Sequence, residues 1–533
     1  MPVVRAGTVR PSGLTLNQDT TYALNYHEAT KHSEISIQTS AHYLDWADKP
    51  SQFKTYEDLP SVALPKNFPR PETAPLSAIS GQSLQSREQS VGLTELSELL
   101  YFSAGLTRRY RFGNEIHYMR AASATGALYP IELYVVAGNI EGLEAGVYHF
   151  DPLGFQLSRI RAGDYRPELA KASNDAVAVA PATITFTSLA WKNAWKYEAR
   201  SYRHWFWDGG VMAANLLGVS GSMGLPTRIV QGFVDQTVNE LLGLQDGKEA
   251  TILLAPVGQE TPMSTDRSAK KIDPIRLKVR SLSNEETEYK GIWEAHRASF
   301  LRDTDEVDRW TNLSLAPALS AQTSYPGFRL APPIAEATKS GTLGEVILKR
   351  GSTRRFARSP ITFAQLSTVL RTSTGPILRD YLPDGDNLID TYLIANAVEG
   401  LAPGSYFYAS EHESLEQLKR GEFRQMSAYL CLGQPLFGDA SVVVFLMTRL
   451  RDVIGTFGNR GYRAAQFEGG IVAGKIYLSA YSLGLGASGS TFYDDAVTDF
   501  FSPHAKEKST MIVVGVGVPA YKARPGSVLP QFA

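Results

Sequence analysis

The sequence predicts an α+β protein made of two similar domains in tandem, and three observations support this fold class. At 533 residues the chain is too long for one ordinary hydrophobic core. Three segments of the first half recur in the same order in the second half. Each half also mixes helical and strand-like patterns, which is typical of α+β domains. We therefore expect two copies of one domain.

The repeat is clearest in a stretch rich in arginine and glycine. KYEARSYRHWFWDGG (196–210) aligns with TFGNRGYRAAQFEGG (456–470), with residue numbers that differ by 260. IELYVVAGNIEGLEAGVYHF (131–150) aligns with IDTYLIANAVEGLAPGSYFY (389–408), and LTELSELLYFSAG aligns with FAQLSTVLRTSTG. Three blocks in the same order indicate an internal duplication.

The two halves share one order of predicted elements. A helix comes first, then a loop, a buried strand, a glycine-containing turn into a second strand, a long helix that ends near a glycine, and a last strand. In the first and second half respectively, these are helix 93–102 and 363–371, strand 132–136 and 391–395, long helix 200–223 and 460–483, and strand 250–256 and 510–516.

The repeat also sets the expected domain boundaries. We expect an N-terminal extension over 1–80, a first domain over 81–260, a linker over 261–335 and a second domain over 336–533. The linker is polar, and its WEAHRASFLRD segment predicts a bridging helix. Two similar domains in one chain suggest an intramolecular pseudo-dimer, with the glycine-rich long helices at the interface. Two independent domains joined by a linker are the alternative.

Composition narrows the class of protein. Lys+Arg of 53 against Asp+Glu of 54 leaves a formal charge of −1, so we expect no nucleic-acid partner. Cys431 is the single cysteine, which excludes an intrachain disulfide and favours a reducing compartment. The first residues lack an apolar signal region, and no apolar run of about 18 residues occurs. We expect a cytoplasmic protein without a membrane partner.

The stretch KRGSTRRF (349–356) concentrates arginines and hydroxyl groups. Such a run is usually a solvated face, but arginine forks and serine hydroxyls also bind phosphate well. Followed by a helix, it resembles the Arg-x-Ser-x-Arg entry of the nitroreductase family, whose members hold flavin mononucleotide (FMN) at a dimer interface. RAASATGALYPIELYVV (120–136) and WKYEARSYRHWFWDGG (195–210) resemble the SagB-type dehydrogenases, which include thiazoline and oxazoline oxidases. The resemblance covers about 85–533.

The resemblance implies which residues of the second domain bind FMN. Arg350, Ser352 and Arg354 would hold its phosphate, and two forks and a hydroxyl suit a dianion. Lys522 and Arg524 in YKARPG would add phosphate or ring contacts, with an exposed basic tail as the alternative.

Further flavin contacts are implied on both sides of the interface. In dimers of the family, the loop that corresponds to 123–127 comes from the other subunit and lies against the flavin. Here this loop contains Ser123, Ala124, Thr125 and Gly126, whose small size lets backbone approach a planar ring. The Ser488–Gly489 pair would lie near the flavin on the side of the arginines.

Each half has lost the part that the other keeps. The positions aligned with Arg350, Ser352 and Arg354 are Ser80, Gln82 and Leu84, so the first half lacks the phosphate-binding residues. In the second half, YLPDG replaces the 123–127 loop, and Asp384 and Asp386 would repel an anionic cofactor. We therefore predict one composite site and one FMN per chain.

Catalytic residues follow the same asymmetry. In SagB-type proteins a Lys-Tyr pair is implicated in substrate deprotonation, and here that pair is Lys196–Tyr197. The second half has Thr456–Phe457, which cannot exchange protons in this way. A buried lysine with a lowered pKa, or a tyrosine beside a cation, can act as a general base. The alternative is a surface lysine and a packed tyrosine.

Three functions remain open from the sequence. The first is an FMN-dependent dehydrogenase that removes a hydride and a proton from a small heterocyclic or peptide-derived substrate, with oxygen or NAD(P)H as redox partner. The second is an NAD(P)H-dependent nitro or quinone reductase, and the third is a flavin- or peptide-binding scaffold without turnover. Nine histidines and one cysteine show no metal-ligand spacing, so we expect no metal. Further homo-oligomerisation is open.

Overall fold

The computed structural model describes residues 15–81, 90–113, 115–259, 272–315, 325–334 and 341–532. The segment before residue 81 contains four short elements: α1 (Thr21–Ala29), α2 (Glu34–Gln38), β1 (Ser61–Ala63) and α3 (Pro75–Ser80).

The first half of the duplication then forms a sheet with helices around it. Its elements are α4 (Leu93–Ala104), β2 (Leu106–Phe112), β3 (Glu115–Arg120), β4 (Ile131–Ala137), β5 (Gly146–Asp151), β6 (Gln156–Ala162), α5 (Arg166–Ala172), β7 (Ala182–Leu189), α6 (Ala190–Tyr197), α7 (Ser201–Ser222), α8 (Asp235–Leu242) and β8 (Glu249–Val257).

Two helices and a strand follow before the second half. They are α9 (Lys290–Ala298), which lies in the predicted bridging segment, α10 (Thr304–Thr311), and β9 (Gly327–Arg329). The second half contains α11 (Leu343–Lys349), β10 (Ile361–Thr362), α12 (Phe363–Ser373), β11 (Asp390–Ala395), β12 (Val398–Glu399), β13 (Gly404–Ala409), β14 (Ser414–Arg420), α13 (Arg424–Leu430), α14 (Pro435–Asp439), β15 (Val442–Thr448), α15 (Leu450–Phe457), α16 (Asn459–Ser482), β16 (Gly486–Ser490), α17 (Asp494–Phe501) and β17 (Ser509–Gly517).

Each half builds its own antiparallel sheet, which confirms the α+β class. The strand order is β1-β6-β5-β4-β7-β8 in the first half and β16-β17-β15-β11-β13-β14-β9 in the second. The corresponding strands of the two halves take equivalent places, and β1 and β9 occupy the same edge although both precede the repeated blocks. The duplication therefore extends to sheet topology.

The long helices α7 and α16 pack against each other at the centre of the molecule. Every residue of α16 is buried, which follows from its contacts with the partner helix on one side and β17 on the other. A Cβ atom at Gly210 would lie 2.5 Å from the Phe467 carbonyl oxygen, and one at Gly470 would lie 2.7 Å from the Phe206 carbonyl oxygen. Only glycine permits this approach.

Buried ion pairs join the two halves reciprocally. Arg200 and Arg203 of the first half bond Asp494 of the second, at 2.9 and 2.7 Å. Arg460 and Arg463 of the second half bond Asp235 of the first, at 2.5 and 2.7 Å. These arginines recur in both halves, and their role in the structure is to hold the halves together.

Among the described residues, no helix has the length and apolar content needed to cross a membrane.

Candidate active site

The KRGSTRRF loop follows α11 and lies against the first half of the chain. Arg108 on β2 donates from Nη1 to the Arg350 carbonyl and from Nη2 to the Leu348 carbonyl, both at 2.8 Å. These bonds satisfy carbonyl groups that a helix leaves open at its C-terminal end. On the other side, the Thr353 N–H donates to the Ala487 carbonyl at 2.8 Å. The loop is therefore held between β2 and β16.

Arg350 is buried and reaches across to the first half. Its Nε and Nη2 groups donate to the Ala121 carbonyl at 3.1 and 2.8 Å, and Nη2 also donates to the Arg120 carbonyl at 3.1 Å. Its Nη1 group makes no hydrogen bond within the described ranges. Because Ala121 lies two residues before the 123–127 loop, Arg350 connects the two predicted parts of the site and keeps one donor group available.

Tyr477 was not among the predicted site residues, yet it connects Ser352 with the strand β16. The hydroxyl groups of Ser352 and Tyr477 are 3.3 Å apart, and the Gly489 N–H donates to the Tyr477 hydroxyl at 2.5 Å. Ser488 is buried, whereas Gly489 is exposed. The first half has Leu217 at the position of Tyr477, and this exchange of an apolar for a polar residue was the available signal.

Arg354, Lys522 and Arg524 form an exposed basic group beside the loop. The Arg354 N–H donates to the Tyr521 hydroxyl at 3.1 Å, and Arg108 Nη2 donates to the Arg524 carbonyl at 3.4 Å. None of the three cations forms an ion pair with another described residue. The structure thus brings the C-terminal segment next to KRGSTRRF and leaves its positive charges uncompensated.

The 123–127 loop turns over the end of α6. Ser123 and Ala124 are half-buried, and the Ala124 carbonyl accepts a hydrogen bond from the Ala127 N–H at 3.0 Å. Gly126 has a φ angle of +63°, and a Cβ atom there would lie 2.8 Å from the Tyr197 hydroxyl oxygen. Both constraints favour glycine at this position, and the second shows that the Tyr197 hydroxyl lies against the loop backbone.

Lys196 and Tyr197 end α6, close to Arg354 of the second half. Burial lowers the pKa of Lys196, and the neighbouring charges of Lys49 and Arg354 lower it further. Burial and the nearby Asp208 raise the pKa of Tyr197, and Arg354 opposes this shift. Lys196 is therefore the better base of the pair, while Tyr197 retains its proton at neutral pH.

Asp208 on α7 is a second residue that the sequence did not reveal. Its buried Oδ1 accepts hydrogen bonds from the Thr125 N–H at 2.8 Å and the Thr125 hydroxyl at 2.7 Å. Its Oδ2 accepts one from Asn193 Nδ2 at 3.2 Å. Burial raises the pKa of Asp208 to about 7, although these donors oppose the shift. The aligned residue Glu468 is also acidic, so comparison of the halves does not single out this position.

The equivalent place in the second half is filled by aromatic side chains. Trp310, Tyr381 and Phe457 are all buried, with ring centroids 5.5 Å apart for Trp310–Tyr381 and 5.9 Å apart for Trp310–Phe457. The Trp310 indole N–H donates to the Phe457 carbonyl at 2.9 Å. By alignment, Phe457 corresponds to Tyr197 and Tyr381 to Ser123. We call these three residues the aromatic plug.

Backbone hydrogen bonds also close the region of the aromatic plug. They involve the segment of the first half that aligns with Ser488–Gly489. Ile229 aligns with Gly489, and its N–H donates to the Leu378 carbonyl at 2.8 Å. Its carbonyl accepts from the Asp380 N–H at 3.1 Å. Among the described residues, no comparable backbone segment pairs over Gly489, and Gly489 is exposed.

Other residues that the comparison of the two halves singled out lie outside the aromatic plug. Asp384 and Asp386 are exposed, so the plug fills the space itself and the two carboxylates lie beyond it. Ser80 ends α3, and its hydroxyl donates to the Ser77 carbonyl at 3.0 Å. Gln82 and Leu84 lie outside the described residues.

The chain contains two copies of one sheet-and-helix domain, and a basic loop lies where the two copies meet. This arrangement can be compared with known families. The model of the Nitroreductase family matches residues 87–259 and again 347–518. The chain therefore belongs to the nitroreductase family and is an oxidoreductase with two tandem nitroreductase domains.

Known proteins resemble parts or all of the chain. A nitroreductase-like protein of Methanocaldococcus jannaschii is 31% identical over 170 residues, which is 32% of this chain and 81% of that protein. The trifolitoxin-processing protein TfxB of Rhizobium leguminosarum bv. trifolii is 29% identical over 36% of this chain, and the match spans only 61% of TfxB. A solved nitroreductase-like structure from Anabaena variabilis has 26% identity and a TM-score of 0.74, covering 93% of this chain and 99% of the other.

Proposed function

We propose that this protein is an FMN-dependent dehydrogenase of the SagB type, with one flavin bound between its two domains. The observation that carries this proposal is that Arg354, from the second half, lies close enough to Lys196 and Tyr197, from the first, for its charge to lower the pKa of both. A candidate base, a proton-retaining hydroxyl and a basic loop for an anion thus belong to one site. The boundaries 81–260 and 336–533 are the domains that we propose to form the pseudo-dimer, and the reciprocal arginine–aspartate pairs support this arrangement.

The side chains at this place fit FMN. Arg350 has an unbonded Nη1 group, Ser352 supplies a hydroxyl, and Arg354, Lys522 and Arg524 carry charges that no described carboxylate neutralises. This set of donors suits a phosphate dianion, which needs several charge-assisted hydrogen bonds when it leaves water. The Ser123–Gly126 backbone and Ser488–Gly489 are the groups that we expect beside the ring system.

Bound FMN would supply the hydride acceptor of the reaction. The lowered pKa of Lys196 favours its neutral amine, which can take a proton from a substrate carbon. Tyr197 keeps its hydroxyl proton and can donate a hydrogen bond to a substrate heteroatom. The Tyr197 hydroxyl lies against the Gly126 backbone, where a Cβ atom would be 2.8 Å from the hydroxyl oxygen.

The aromatic plug supports a stoichiometry of one flavin per chain. Trp310, Tyr381 and Phe457 occupy the position that corresponds to the Tyr197 site, and the plug leaves neither a lysine–tyrosine pair nor an open loop. A second flavin would have to displace three buried rings, and burial of each large aromatic side chain is worth several kcal/mol, about 3–5 on truncation.

The segment before the first domain supports a peptide-derived substrate. Trp46 packs edge-on against Trp195 with ring centroids 5.2 Å apart, yet 64% of it is exposed. Tyr43 and Ile35 on the same segment are 79% and 73% exposed. Large exposed apolar groups beside a catalytic residue are typical of a binding surface. The similarity to a trifolitoxin-processing protein also supports this substrate class.

The proposal is tested by cofactor release and by the reductive half-reaction. Protein purified with added FMN and then denatured should release one FMN per chain; none, or two in a folded preparation, would contradict it. Anaerobic mixing with an azoline-containing peptide should bleach the flavin, whereas rapid bleaching by NAD(P)H alone would favour the nitro or quinone reductase.

A matched pair of lysine variants assigns the base. Lys196→Met should retain FMN and lose flavin reduction by the azoline peptide by about 100-fold or more, the usual contribution of general base catalysis. Lys171→Met removes an exposed lysine of α5 and should react at the wild-type rate. Absence of turnover in wild type that holds FMN would favour the scaffold function.

A further inference from the structure

Asp208 has a position that the proposed mechanism does not use. It lies on the central helix α7 beneath the 123–127 loop, where it is 4% exposed. One of its oxygens receives both donors of Thr125, the backbone N–H at 2.8 Å and the hydroxyl at 2.7 Å. Thr125 precedes Gly126, which touches the Tyr197 hydroxyl, so Asp208 supports the loop where it meets the catalytic pair.

The second half also has a buried acidic residue at the position aligned with Asp208, but there an arginine lies beside the carboxylate. Glu468 on α16 aligns with Asp208, and it accepts a hydrogen bond from the Leu388 N–H at 2.6 Å. The Arg379 Nε atom lies 3.5 Å from the other Glu468 oxygen, and both residues are buried. Each acidic residue thus accepts a backbone hydrogen bond from a segment of its own half, and among the described residues Glu468 has a cation beside it whereas Asp208 has none.

Within the part of the chain that the structure describes, the groups around Asp208 are neutral. Its hydrogen-bond partners are Thr125 and Asn193, and the titratable side chains close enough to interact with its charge are Tyr197 and Tyr129. His204, one turn earlier on α7, stays neutral because burial lowers its pKa well below the usual value. A buried carboxylate without a cation is costly, so closing the loop over Asp208 favours the protonated acid.

We propose that Asp208 is the positioning residue of the site: with a proton bound, it lets the 123–127 loop close against Tyr197, and its ionisation loosens the loop because an open loop hydrates the carboxylate. The role of that loop at the flavin rests on the proposed function, but the closing motion does not.

The direction of the pH dependence follows from the two states of the loop. In the open state the carboxyl group is hydrated and titrates at its ordinary value of about 4. In the closed state burial raises its pKa to about 7. Closure is therefore fully favoured below about pH 4, and it weakens by about tenfold for each pH unit from there to pH 7, with no further change above.

Hydrogen exchange of the flavin-free protein tests this proposal. The exchange rate of segment 120–128, corrected for the intrinsic effect of pH, should rise by about tenfold per unit between pH 5 and 7 and then level off. Asp208→Asn mimics the protonated acid and should exchange slowly and without this rise. Asp499→Asn removes an exposed carboxylate and should behave as wild type. The same rise in Asp208→Asn, or no rise in wild type, would overturn the proposal.

A second variant tests the proposal in case Asp208→Asn does not fold. Thr125→Val removes one donor that favours the ionised acid, so the upper limit of the rise should move to higher pH by about one unit. An unchanged limit would contradict the role of Asp208. FMN affinity, measured separately, should weaken over the same pH range in wild type and in Asp499→Asn, but not in Asp208→Asn. If no protein binds FMN while the exchange pattern holds, the proposed function fails and the role of Asp208 stands.

Discussion

Glu198, the residue after the Lys196–Tyr197 pair, adopts a backbone conformation that is normally reserved for glycine. Its φ and ψ angles are +48° and −141°. The aligned residue of the second half is Gly458, with φ and ψ of +68° and −162°. The two halves therefore make the same turn, but the half that carries Lys196 and Tyr197 makes it with a side chain, at a cost of about 1–3 kcal/mol. Backbone strain of this kind is common at functional sites.

Replacing Glu198 by the residue that the other half uses should stabilise the protein. Glu198→Gly removes the Cβ clash, and the gain exceeds the entropy cost of a glycine, so we expect a rise of about 1 kcal/mol in the free energy of unfolding. Glu198→Ala keeps the Cβ atom and should remain within about 0.5 kcal/mol of wild type. Urea denaturation measures both. A glycine variant no more stable than the alanine variant would show that the backbone here is unstrained.

The sequence predicted part of the candidate site at this scale. A comparison of the two halves pointed to Lys196, Tyr197 and Arg350, because these residues have no equivalent in the other half. It could not point to Asp208, since both halves keep an acid there and only the three-dimensional surroundings differ. Nor could it show that two nitrogen atoms of Arg350 donate hydrogen bonds to carbonyl groups of the first half. This contact joins residues that are 229 positions apart in the sequence.

The central crossing of α7 and α16 depends on glycines that touch backbone atoms of the partner helix. A Cβ atom at Gly210 would come within 2.5 Å of the Phe467 carbonyl oxygen and 2.6 Å of the Ile471 nitrogen. Backbone atoms cannot rotate away as side chains can, so the helices would have to separate. Gly218, two turns along the same helix, has its nearest foreign atom, Leu343 Cδ2, at 3.6 Å, which is an ordinary contact.

This difference predicts opposite effects for two glycine-to-alanine changes in one helix. Gly210→Ala should lower the free energy of unfolding by about 2–3 kcal/mol through overpacking. Gly218→Ala should leave it unchanged or raise it by up to about 1 kcal/mol, since alanine is the better helix former. Thermal denaturation of both variants provides the comparison. Equal effects would mean that the helices do not cross as closely as these distances require.

Elements that belong to the repeat were predictable; outside it, the WEAHRASFLRD segment predicted α9, but other elements were not predicted. Repeated apolar patterns located α4, α12 and both long helices to within two residues. The β2–β3 hairpin, which carries Arg108, has no repeated counterpart and was not predicted. Helix α10 was missed for the same reason, and with it Trp310, the residue that completes the aromatic plug.

At the scale of the whole molecule, two carboxylates connect the domains by holding four buried arginines. Asp494 bonds Arg200 and Arg203 across the interface, and the charges of these arginines outweigh burial and hold the pKa of Asp494 well below its usual value. Asp235 makes the reciprocal contacts. A carboxyl group whose pKa is depressed by folding stabilises the folded state above its unfolded pKa, near 4, and this stabilisation is lost as pH falls below that value.

Asp494→Asn should therefore weaken the connection between the domains and remove part of the acid sensitivity. At pH 7 it leaves Arg200 and Arg203 buried without a counter-charge, which costs about 3–5 kcal/mol and should lower the melting temperature by several degrees. Asp495→Asn, which changes the exposed neighbouring carboxylate, should melt within about 1–2 °C of wild type. Between pH 5 and 3 the melting temperature should fall more steeply in wild type and in Asp495→Asn than in Asp494→Asn, because only the first two lose an ionised Asp494. Parallel pH profiles for all three proteins would show that the Asp494 pairs do not carry the acid response, and a wild-type melting temperature in Asp494→Asn at pH 7 would show that the domains are joined by the glycine crossing alone.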